Sequence, residues 1–121
     1  MFSSLEDIKT ALPDADSYLL LYLPSVATSY LFDGKIKVQS YKNKEFFQTT
    51  GEFNSERHSY IYEMIKSEIK KKGWIICNTT PAILNITKKG IAVHGPIDWK
   101  HFNKIGYSSV AKTYQQCINA L

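Results

Sequence analysis

The sequence lacks most of the signatures that announce chemistry. Its six glycines are scattered, and none stand at the G-x-G-x-x-G or Walker spacing that lets backbone N–H groups cradle a phosphate. There is no H-E-x-x-H, no C-x-x-C and no carboxylate-rich loop, so neither a metal nor a cofactor is expected. No G-x-S-x-G elbow offers an activated serine. Cysteine is scarce, with only Cys77 and Cys117. Two thiols make no disulfide framework, and their separation fits no zinc site. Cys77 lies in the apolar run "WIIC", which raises a thiol's pKa and leaves it unreactive. Both cysteines read as small buried hydrophobes. Long apolar runs are missing too: "YLLLYLP" is far too short to span a bilayer. The opening "MFSSLEDIK" has no basic segment followed by an apolar core, so no signal peptide is expected. These absences predict a cytoplasmic chain with reduced thiols and no membrane partner. The triplets at Asn78 and Asn85 then carry no glycosylation.

What is present is ordinary globular material. The 121 residues are 44% hydrophobic, 21% charged and 13% aromatic. That composition excludes disorder and predicts a single domain spanning 1–121, large enough to hold one core.

Ser3 or Ser4 can cap a first helix running to Leu12, placing Glu6 and Asp7 in the first turn, where the dipole favours acids. "SYLLLYL" (17–23) reads as a central strand closed by Pro24. "TSYLF-DG-KIKVQSY" reads as a hairpin turning at Asp33–Gly34, with "EFFQTT" as a further strand. From Asn54 or Ser55, Ile61, Ile65 and Ile69 recur every four residues along a second helix. Lys70, Lys71 and Lys72 fill its last turn, and Gly73 follows as a left-handed cap. "WIICN" (74–78) is a strand, and "AILNIT-KKG-IAVH" reads as a second hairpin. A helical C-terminus follows, with an interruption allowed at Gly106. The expected fold is α+β: a mainly antiparallel sheet built from two β-hairpins, with helices packed on it and a C-terminal helix. A parallel βαβ unit is allowed only across the second helix.

The stretch "VHGPIDWKHF" (93–102) concentrates two histidines, an aspartate and a tryptophan. Capping explains much of it. Asp98 fits the N-cap of the last helix, with Ile97 and Phe102 as the two ends of a hydrophobic staple. His94 is left without a role. An enzyme would require His58, His94, His101 and Asp98 to converge in one pocket.

Charge is unevenly spread. Residues 1–34 hold Glu6, Asp7, Asp14, Asp16 and Asp33 against Lys9 alone, while the remainder supplies the net charge of +4. Two kinds of partner follow. Lys37, Lys42, Lys44, Lys88 and Lys89, with Tyr41, could neutralise phosphates and stack on bases, as in a small nucleic-acid-binding module. The acidic residues Glu6, Asp7, Asp14, Asp16 and Asp33 could instead steer a basic protein partner.

A small chain rich in Lys, Ile, Asn and Tyr, without a catalytic signature, resembles the immunity proteins of bacterial toxin systems, those of contact-dependent growth inhibition in particular. The resemblance is one of overall character along the chain and carries no functional residue with it. It implies a non-enzymatic inhibitor that occludes the active site of a cognate toxin. The net basic charge leaves two versions open: an acidic patch that binds a nuclease, or a toxin that is not a nuclease.

Overall fold

The computed structural model describes the backbone of residues 2–30, 35–41, 44–49 and 52–121, and the side chains of 4–30 and 56–121. The two apolar runs that read as strands form them, β1 (Leu19–Tyr22) and, later in the chain, β4 (Ile75–Asn78), and they pair in parallel. The reason lies in their composition. A strand covered on both faces needs side chains that are apolar on both faces, which is the habit of parallel sheets. Leu20 and its partner Ile76 turn to one core cluster, built on Leu5, Ile69 and Trp74. On the other side, Leu21 joins a second cluster built on Ile83, Val93 and Val110, beside its buried partner Cys77.

The first cluster is closed by helices α1 (Phe2–Ala11) and α2 (Glu52–Lys71). α2 ends as its lysines and glycine predict. Gly73 takes a φ of 73°, its N–H donates to Lys70 and the Trp74 N–H donates to Ile69. That is the Schellman arrangement, and its usual hydrophobic contact is here the packing of Trp74 with Ile69. α1 begins earlier than its serines suggest, so Glu6 and Asp7 lie beyond its first turn and gain nothing from its dipole.

The second cluster is closed by α3 (Thr80–Thr87) and α4 (Lys104–Asn119). Here the expected architecture is corrected: the chain is α+β with four helices among the described residues, not an antiparallel sheet of two hairpins. The segment expected as the second hairpin is helical, with Pro81 in the first turn, where its fixed φ suits a helix and its missing N–H costs nothing. Gly90, at φ 77°, ends the turn after that helix. The antiparallel pair that does form joins β2 (Lys35–Tyr41) to β3 (Lys44–Thr49). The parallel β1–β4 pair spans α2, the one place where the sequence allows a parallel unit, while Ala27–Ser29, expected to lead into the first hairpin arm, make a 3-10 turn. The Asp33–Gly34 turn lies outside the described residues.

Two further expectations change. Cys77 and Cys117 are not separate thiols; they form a disulfide with Cα atoms 6.0 Å apart, tying α4 to β4. Gly106 does not interrupt α4. It lies within the helix, and the position calls for glycine because a Cβ there would come 2.6 Å from the Val93 carbonyl oxygen.

Candidate functional site

The acidic segment occupies α1 and the loop after it. α1 is held by little: among its described side chains only Leu5 is buried. The Tyr18 hydroxyl donates to the Leu12 carbonyl, and its ring stacks on Trp74 at 4.9 Å. Ile8 and Leu12, one helical turn apart, are left 44% and 58% exposed. Glu6 makes an ion pair with Lys72 at the end of α2. That bond, then the Lys72 charge, holds the Glu6 carboxyl below its ordinary value. Asp7, Asp14 and Asp16 are exposed, and no hydrogen bond or ion pair among the described residues occupies their carboxylates. Asp33 lies outside those residues. Two large exposed apolar side chains thus lie close in sequence to three carboxylates that are exposed and unpaired among the described residues.

Of the expected nucleic-acid residues, Tyr41 and Lys44 are paired across the β2–β3 strands. Lys37 and Tyr41 stand on β2 and Lys44 on β3, all with side chains outside the described set, as is the whole of Lys42. Lys88 and Lys89 are exposed in the turn after α3, not at a hairpin tip.

Each histidine has its own hydrogen-bond partners, although Asp98, bonded to His101, also bears on His94. His94 is 3% exposed. Its Nδ1 meets the Tyr30 hydroxyl at 3.1 Å, and the same hydroxyl accepts the Val93 N–H at 3.2 Å. The ring stacks on Phe102 at 4.6 Å. Burial pushes its pKa down, with Asp98 pulling weakly the other way. Asn103 clamps the same corner. Its Nδ2 donates to the carbonyls of Ala92 and His94, while its Oδ1 accepts from Ile105 and Gly106 as the N-cap of α4.

Asp98 is therefore not the cap of the last helix. It closes a tight turn, accepting the Lys100 N–H at 2.8 Å and facing His101 Nδ1 at 2.6 Å. The His101 bond, then the Lys100 N–H, holds the Asp98 carboxyl low. Nor does Ile97 form a staple, since it is 98% exposed. Asn103 is as good a cap residue by type as Asp98, so the signal was present but competed with an earlier one.

His58 sits differently. Its Nε2 lies 3.2 Å from the Thr80 hydroxyl and its Nδ1 3.5 Å from Tyr22. Burial lowers its pKa. Tyr22, pressed by Tyr62 edge-on at 5.2 Å, has its pKa raised by burial first and by Tyr62 second. Sequence reading singled out neither Tyr22 nor Thr80, because tens of residues separate them from His58. Among the described residues no group of three His, Cys, Asp or Glu side chains gathers as a metal site, and no helix is long and apolar enough to cross a membrane. No family model, curated protein or solved structure matches the chain.

Proposed function

We propose that the chain is a non-enzymatic binding protein of the immunity type, which neutralises a cognate bacterial toxin by covering its active site. One observation carries the reading: the exposed Ile8 and Leu12, in the same segment as Asp7, Asp14 and Asp16, whose carboxylates are exposed and unpaired among the described residues. Apolar side chains without cover gain from burial against a partner, and surrounding carboxylates select a basic one. A nuclease domain, whose positive surface serves phosphate, fits that description. The proposed place of action is the cytoplasm, a reducing compartment in which the Cys77–Cys117 disulfide would have to resist reduction; thiol alkylation in intact cells reads which form is present.

Co-expression with the adjacent gene of the native locus tests the reading. The wild-type chain should restore growth against a toxic neighbour. Reversing Asp7, Asp14 and Asp16 to Lys should slow association by about tenfold at low salt and weaken protection. A wild-type chain that gives no protection, or a reversed chain that protects equally, contradicts it. The alternative, a small basic nucleic-acid-binding module, draws on the exposed Lys88 and Lys89. It predicts that the same reversal leaves binding to RNA or DNA unchanged or tighter, and that this binding weakens steeply with salt.

A further inference from the structure

A second surface, independent of α1, has the shape of a small-molecule site. Between α2 and α3 lies a cleft of about 350 Å³, reaching to Asn78, the last residue of β4. That volume is at the lower end of what ligand pockets offer. Tyr62, Pro81 and Leu84 line it with apolar surface, and His58, Asn78 and Thr80 line it with polar groups.

The polar valences left over are mostly donors. Asn78 spends its Oδ1 on the Thr80 N–H at 3.0 Å, so its amide offers N–H groups to a visitor. His58 and the Thr80 hydroxyl engage each other. Glu63 also borders the cleft, but Lys66 reaches both of its oxygens at 3.2 Å. Lys88 brings an ammonium that has no ion-pair partner among the described residues. An amide with spare N–H groups, one cation and an apolar wall call for a ligand with one negative group and an apolar body.

We propose that this cleft binds a small monoanionic carboxylic acid with an aromatic or branched apolar body. The carboxylate meets Lys88 and the Asn78 amide, and the body lies along Tyr62 and Leu84. A single lysine matches a monoanion better than a phosphate dianion, for which a bidentate guanidinium or several backbone N–H groups would be the usual recognition device.

Titration with phenylacetate, followed by amide chemical shifts, tests this. A fragment of about ten non-hydrogen atoms should bind with a Kd of about 1 mM, with saturable shifts at Ser59, Tyr62, Thr80 and Leu84. Phenylacetamide, the neutral isostere, should bind about tenfold more weakly. Lys88→Ala, on the surface, should weaken phenylacetate by about fivefold and leave phenylacetamide unchanged. Leu84→Trp should fill the cleft and abolish the shifts; if that variant does not fold, Lys88→Ala decides. The proposal is overturned if phenylacetate gives no saturable shift at these amides, if acid and amide bind equally, or if Lys88→Ala binds the acid as well as wild type.

Discussion

The two ends of the molecule are built by different means. The α4 end is cross-bonded: the disulfide ties α4 to β4, the Asn103 clamp ties the start of α4 to residues 92–94, and the His94–Tyr30 pair ties those residues to the segment after the 3-10 turn. Among the described residues, the α1 end rests on Leu5, one tyrosine stack and one ion pair. The residues that look most like chemistry in the sequence are spent on the first end. His94, buried with its ring stacked on Phe102 and its Nδ1 on the Tyr30 hydroxyl, holds the frame. The surface proposed for a partner is at the second end, where Ile8 and Leu12 are about half exposed among the described residues. His58 stands between these cases: like His94 it faces a tyrosine hydroxyl, here that of Tyr22, but it borders an open cleft.

The largest test of this contrast is the disulfide. Closing a 40-residue separation contributes about 4 kcal/mol by loop entropy, so Cys77→Ala with Cys117→Ala should lower the denaturation midpoint accordingly. Hydrogen exchange should rise mainly in α4, and a rise mainly in α1 would break the contrast. Next comes His94→Ala, which leaves the Tyr30 hydroxyl without its ring partner and Phe102 without its stack; it should cost about 3 kcal/mol. His58→Ala should cost about 1 kcal/mol, because water in the cleft can replace its partners. Equal losses at the two histidines would erase the distinction.

The smallest effect is with pH. Burial lowers both histidine pKa values from an unfolded value of 6.5, so the unfolded chain takes up protons first. Stability from this source is full above pH 6.5 and declines as pH falls through that value toward the folded ones. Glu6 and Asp98, also lowered, add losses only nearer their ordinary values of 4.5 and 3.8. Urea midpoints between pH 7.5 and 5.5 therefore isolate the histidines, and His94→Ala should flatten the slope.

Legibility in the sequence followed the range of the interactions. α1, α2 and the strand positions of β1 and β4 were readable because periodicity, caps and apolar runs are local. The parallel pairing left a trace as well, since "YLLLYL" and "WIIC" do not alternate as one-faced strands do. α3 was misread because residues 82–86 fit a short strand or a short helix equally; what decides is Ile83 packing with Val93 and Val110, a tertiary fact. The disulfide left no signal, since 40 residues of separation say nothing of distance. His94 and Tyr30 are further apart still, at 64 positions. Of the acidic residues, type and exposure were legible, but the engagement of Glu6 by Lys72, 66 positions away, was not.

The most direct test of the account is Ile8→Ser with Leu12→Ser, assayed for protection against the toxic neighbour alongside thermal stability. Both side chains are exposed in the free chain, so stability should change by less than about 0.5 kcal/mol per site. Protection should nevertheless be lost, because the apolar centre of the interface is gone. A variant of unchanged stability that still protects fully would contradict the assignment of α1 as the partner surface.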